Sequence, residues 1–178
     1  MSLVGGALAC LPDGGAIVQL REKDLDGREL AQLARSVLAV TRPRSVPLLI
    51  NDRIDVALAV GADGVHLPTN SFSIQEARSL LGPERLIGVS THSAAEARAA
   101  GDADVVVLGP VWATPGKESP IGVDELARAS ATNVYAIGGI DSPERARSAI
   151  AAGAYGIAGI RGFAQADTVK AMFDILSE

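Results

Sequence analysis

Short runs rich in Val, Ile and Leu alternate along this chain with longer stretches of helical periodicity. The runs predict seven strands, at Ala16–Leu20, Val46–Ile50, Gly64–Leu67, Leu86–Val89, Asp104–Leu108, Asn133–Ile137 and Tyr155–Gly159. Between them the spacing predicts a helix over Gly27–Val40, with Leu30, Leu33, Val37 and Leu38 on one stripe. Further helices are predicted over Ile54–Val60, Ser73–Leu81, Ala94–Ala100, Val123–Ala129, Pro143–Ala152 and Ala166–Leu176. Apolar strands each followed by a helix indicate a parallel sheet, buried on both faces.

A weak echo runs through the chain. Gly61-Ala62-Asp63-Gly64-Val65, Gly101-Asp102-Ala103-Asp104-Val105 and Gly153-Ala154-Tyr155-Gly156-Ile157 each end a helix and open a strand. Glycine there is expected to end the helix in a left-handed turn. A repeated βα unit in a single domain over 1–178 favours a TIM (β/α)8-type barrel over an open, doubly wound sheet. Such a barrel has one strand more than the pattern supplies, so the first strand is read as missing or very short. Ser2–Val4 is the candidate for a short one. The strand edges this leaves at Ala16–Leu20 and Tyr155–Gly159 are apolar, so a homodimer is expected to bury the defect.

Composition narrows the partners. The net charge is −5, aromatic residues make up 3%, and there is no basic run, which argues against nucleic acid and membrane surfaces. The single cysteine, Cys10, excludes an intramolecular disulfide and a thiolate zinc site. With no export pattern at the N-terminus, a cytoplasmic location is expected. The lysines are Lys23, Lys117 and Lys170, and two of them follow predicted strands.

Ligands of such barrels sit at the C-terminal ends of the strands, so polar residues there carry the functional reading. Gln19, Arg21 and Lys23 alternate as the first strand runs out and face one side. Converging cations need an anion, either a ligand phosphate or the nearby Glu22, Asp24 or Asp26. Asn51 and Asp52 end the next strand; by default they cap a helix, and alternatively Asp52 holds a divalent metal on a phosphate. His66 lies inside a strand and reads as a packing residue. Ser73 with Glu76 and Ser93 with Glu96 have the spacing of capping boxes. Ser90 and His92 follow a strand, where a hydroxyl and an imidazole suit phosphate contacts and proton transfer. The loop Gly109–Lys117, rich in Gly and Pro, is a candidate lid that carries Thr114 and Lys117. Gly138-Gly139 and Gly159 to Gly162 are glycine turns after the last two strands. There backbone N–H groups can approach a phosphate, with Arg161 at the rim.

Together these segments resemble the thiamine phosphate synthase/TenI family. The matching stretches are VQLREK (18–23), LLINDRIDVALAVGADGVHL (48–67), IGVSTHSAAEA (87–97), VVVLGPVWATPGK (105–117) and AIGGI (136–140). The resemblance implies a TIM barrel of thiamine biosynthesis that takes a phosphorylated small molecule. It implies that Gln19, Arg21 and Lys23 contact substrate phosphate, and that Asn51 and Asp52 form the pyrimidine-phosphate and metal region. It further implies pyrophosphate contacts at Ser90 and Lys117 and a thiazole-phosphate loop at Gly138 and Gly139. Departures accompany it. Where the synthase has Gly-Gln-x-Asp, with that Asp as second metal ligand, this chain has Pro68-Thr69-Asn70-Ser71. Where the TenI tautomerase has its catalytic His, this chain has Pro110.

Three readings follow. The first is a TenI-like protein binding a thiazole phosphate, with tautomerase chemistry carried by His92 and Lys117. The second is a thiamine phosphate synthase that uses Mg2+ held by Asp52 and the substrate diphosphate. The third is a non-catalytic phosphate-binding barrel.

Overall fold

The computed structural model describes residues 3–129, 133–160, 163 and 166–176. All the predicted strands form: β1 Val18–Leu20, β2 Leu48–Asn51, β3 Gly64–Leu67, β4 Leu86–Thr91, β5 Val105–Leu108, β6 Val134–Ile137 and β7 Gly156–Ala158. The helices are α1 Leu3–Leu8, α2 Gly27–Thr41, α3 Ile54–Val60, α4 Ile74–Leu81, α5 Ala94–Ala99, α6 Val123–Ala129, α7 Pro143–Ala151 and α8 Ala166–Leu176. The chain divides into two compact units, Met1–Val89 and Ser90–Glu178.

In the first unit β1 to β4 pair in parallel and in chain order, with Leu20 opposite Ile50, Ile50 opposite Val65 and Val65 opposite Ile87. That row fills the core, since Ile50, Val65 and Ile87 are fully buried. The next row sets Asn51 opposite His66 and His66 opposite Gly88. Side chains alternate along a strand, so Gln19, Asn51 and His66 share one face. Asp63 ties the strand starts together: its carboxylate accepts from Leu48 N–H at 2.8 Å, and its carbonyl accepts from Leu86 N–H at 2.9 Å.

In the second unit β5, β6 and β7 pair in parallel, with Leu108 opposite Ala136 and Ala136 opposite Ile157. The end of β4 belongs here, and Thr91 O accepts from Gly109 N–H at 3.1 Å. Val106, Leu108, Val111, Leu126 and Met172 are the large buried side chains of this unit.

Two local expectations need correction. Ser2–Val4 supplies no strand among the described residues; Leu3–Leu8 is helical instead. A contact from outside the segment holds it: the Arg44 guanidinium donates to Leu8 O at 2.6 Å and to Leu11 O at 2.5 Å, tying down the last helical residue and the turn after it. The glycine echo also divides. Gly61 (φ 65) and Gly153 (φ 95) are left-handed, but α5 ends at Ala100 with φ −89, and Gly101 is not left-handed.

Candidate active site

The first unit gathers one group of candidates at the ends of β1, β2 and β3. Gln19 Nε2 donates to Asn51 Oδ1 at 2.9 Å. Arg21 and Lys23 are exposed, and neither forms an ion pair with another described residue. Asp26, one possible partner, caps α2 instead, accepting from the N–H groups of Arg28 and Glu29 and closing a capping box with Glu29. The neighbouring Arg53 is engaged by Asp55 through bonds of 2.8 and 2.7 Å, which hold the Asp55 carboxyl below its ordinary value. Of the cations at these strand ends, Arg21 and Lys23 have no ion pair among the described residues.

Asp52 does not cap α3. Arg53 takes the cap position without a side-chain bond, and Asp52 is left-handed at φ 59. Few non-glycine residues adopt that conformation, and Asp and Asn do so most readily. The turn is pinned by Asp52 N–H donating to His66 O at 2.9 Å, and the Asp52 carboxylate accepts from the Ser71 hydroxyl. Ser71 stands where the family pattern has its second metal-binding Asp. The donor set is thus one carboxylate with a hydroxyl beside it, all oxygen and suited to a hard cation. No group of three or more His, Cys, Asp or Glu side chains among the described residues could hold a metal alone. The residues present fit a hard divalent cation such as magnesium that takes most of its ligands from outside the protein.

His66 is buried, and its pKa falls from 6.5 to about 4 because burial disfavours the charged ring and the positive Arg21 adds to the effect. Gly88 makes room for it, since a Cβ there would lie 2.7 Å from His66 Nδ1. An unfolded chain takes up the proton near 6.5, whereas the folded chain does so only near 4. Between these values the unfolded state holds more protons, so stability falls as pH drops through that window and is unaffected above it. The loss at pH 4 relative to pH 7 is expected to be about 3 kcal/mol. Urea unfolding of the protein and its His66→Gln variant across pH 4–7 measures it; parallel curves for the two proteins would exclude His66 as the source.

The second unit gathers the remaining candidates. Ser90 lies within β4 rather than after it, partly exposed. His92 is exposed, and its Nδ1 is 2.6 Å from Gly109 O. A carbonyl only accepts, so Nδ1 is the donor in this bond. Ser93 caps α5 as expected, but Glu96 does not close the box; its carboxylate accepts from His92 N–H at 2.8 Å. Glu125 of α6 accepts from Ala94 N–H at 2.7 Å. The start of α5 is therefore occupied by two carboxylates and offers little to a phosphate. His92, Pro110, Lys117, Glu118, Ser119 and Ile121 line a cavity of about 440 Å³.

The loop after β5 is more ordered than its composition suggests. Thr114 and Lys117 exchange backbone bonds of 3.2 and 2.8 Å around Pro115 and a left-handed Gly116 (φ 80). Its base is fastened by Ile121 N–H to Pro110 O at 2.8 Å and Gly122 N–H to Val111 O at 3.1 Å. Lys117 is exposed and forms no ion pair with a described residue.

Gly138 (φ 99) and Gly139 (φ 67) are both left-handed. The Gly138 carbonyl accepts from Trp112 N–H at 3.0 Å and the Gly139 carbonyl from Arg145 Nη1 at 2.7 Å. In a planar trans peptide the carbonyl and the following N–H point in opposite directions. The N–H groups of Gly139 and Ile140 are therefore turned away from these partners, as donors for an anion. Gly159 has a packing reason for its missing side chain: a Cβ would lie 2.8 Å from the Phe163 ring. Arg161 and Gly162 lie outside the described residues. Sequence reasoning missed the Ser71–Asp52 bond, the Glu125 cap and Arg145; none is signalled by local spacing.

The family model described as thiamine monophosphate synthase matches residues 2–163. A thiamine-phosphate synthase of Moorella thermoacetica is 42% identical over 88% of this chain and 77% of its own length. One of Clostridium novyi is 42% identical over 94% of this chain and 88% of its own length. The solved thiamine phosphate pyrophosphorylase from Pyrococcus furiosus matches with a TM-score of 0.85 and 31% identity, over 98% of this chain and 88% of that one. The fold is thus of the TIM-barrel class, and the described residues hold no strand ahead of β1. No helix among the described residues is long and apolar enough to cross a membrane. With a family model matched over residues 2–163 and relatives 42% identical over most of its length, the chain belongs to the thiamine monophosphate synthase family.

Proposed function

We propose that this protein is a thiamine-phosphate synthase, a transferase joining a hydroxymethylpyrimidine diphosphate to a thiazole phosphate with release of pyrophosphate. The observation that carries the reading is the pair Arg21 and Lys23, unpaired among the described residues, on strand ends that also present Asn51 and Asp52. A diphosphate with its metal needs that set. A tautomerase, handling one monophosphate, needs only the glycine turn. The names of the relatives support the same side, and Pro110 stands where a tautomerase has its proton carrier. The weight therefore moves from the tautomerase reading to the synthase.

In the reaction the bond between the pyrimidine methylene carbon and the diphosphate oxygen breaks, and its electron pair leaves on pyrophosphate. The lone pair of the thiazole nitrogen forms the new carbon–nitrogen bond. Arg21 and Lys23 bind diphosphate oxygens; Gln19 orients Asn51 beside them. The N–H groups of Gly139 and Ile140 bind the thiazole phosphate. Asp52 and Ser71 would hold magnesium, which when bound neutralises charge on the leaving pyrophosphate. The thiazole nitrogen gives up no proton, so His92 is not required as a base.

Incubation with both substrates tests the reading: thiamine phosphate and pyrophosphate should form with magnesium and not with chelator. Absence of product under both conditions would overturn it. Ser71→Asp supplies a second carboxylate beside Asp52 and should lower the magnesium concentration for half-maximal rate about tenfold.

A further inference from the structure

We propose that Arg145 is a positioning residue that aims the phosphate-binding peptide at Gly139–Ile140 and clamps the lysine-bearing loop against it; this rests on the synthase reading for the identity of the phosphate. Arg145 lies in α7, and its guanidinium reaches three groups. It donates to Gly139 O at 2.7 Å and to Asp141 Oδ1 at 3.0 Å, and the guanidinium carbon lies 5.6 Å from the centre of the Trp112 ring. Asp141 is exposed and holds the guanidinium from the solvent side. Trp112 gives it a face to stack on.

Each contact has a consequence for the site. Holding the Gly139 carbonyl fixes the rotation of the following peptide, so the Ile140 N–H faces the anion. Stacking on Trp112 joins α7 to the loop whose turn carries Lys117. The fit is close on both sides: a Cβ on Gly139 would lie 2.7 Å from Trp112 Cβ and 3.0 Å from Ala113 O. Without Arg145 the peptide is free to turn its carbonyl toward the phosphate, which repels it. The residue touches no substrate itself and acts through Gly139, Ile140 and Trp112.

Trp112 is the single tryptophan of the chain, so its fluorescence reports this contact directly. In the free protein, Arg145→Ala should raise acrylamide quenching of Trp112 about twofold, because the ring loses its cover. In turnover it should raise KM for the thiazole phosphate about tenfold while changing kcat much less. Arg145→Lys, which can keep the bond to Gly139 O or the stack but not both, should fall between. If Arg145→Ala does not fold, as judged by circular dichroism, Arg145→Lys carries the test by the same two readouts. Quenching and KM both unchanged in a folded variant would overturn the proposal. If the wild-type protein makes no thiamine phosphate, the synthase reading fails. The quenching result, and binding of inorganic phosphate by calorimetry to the protein and its variant, then decide the clamp on their own.

Discussion

Asp52→Asn is expected to lower synthase turnover about 100-fold at saturating substrates and magnesium. The substitution keeps the left-handed turn, because Asn tolerates the φ of 59 as well as Asp does, and it keeps an oxygen for the Ser71 hydroxyl. Only the negative charge is removed. With no second carboxylate at Ser71, nothing on this strand end replaces it. His92→Gln is the matching control: a reaction that moves no proton at its nucleophilic nitrogen should lose less than about tenfold. The reverse order, a collapsed His92→Gln and an active Asp52→Asn, would return the chain to proton-transfer chemistry. Steady-state assays of the two variants with both substrates make the comparison.

Gly138→Ala is expected to destabilise the protein by about 3 kcal/mol, the second large effect. At φ 99 an L-residue is strained, and the new Cβ would lie 2.5 Å from Pro110 Cβ and 2.6 Å from Pro110 Cα. The proline is buried and its carbonyl is bonded to Ile121 N–H, so the loop cannot yield without losing its own fastening. Gly116→Ala separates the two causes. Gly116 has a similar φ of 80 but nothing within 4 Å of its added Cβ, so it should cost about 1 kcal/mol. Urea unfolding midpoints of the two variants read the difference; equal losses would mean that the contact with Pro110 is relieved at no cost.

What could be read from the chain was whatever is local. The period of two or 3.6 residues marked every strand, and seven of the helices, because burial of one face depends only on neighbours a few residues away. The Ser73–Glu76 box was legible for the same reason, and the turn at 138 and 139 because left-handed backbone favours glycine. Tertiary structure decided the rest. The end of Leu3–Leu8 is held by an arginine 36 residues from Leu8, and Asp52 gained its hydroxyl from a residue 19 positions on. Ala94 N–H is satisfied by a carboxylate 31 residues away. Strand ends place such groups side by side through the parallel register, and nothing in the spacing of either segment encodes its partner. The sequence thus determined the elements and the kinds of chemistry at their ends. The register and the turns decided which carboxylate meets a hydroxyl, which cations have no ion pair among the described residues and which peptide carbonyls Trp112 and Arg145 hold.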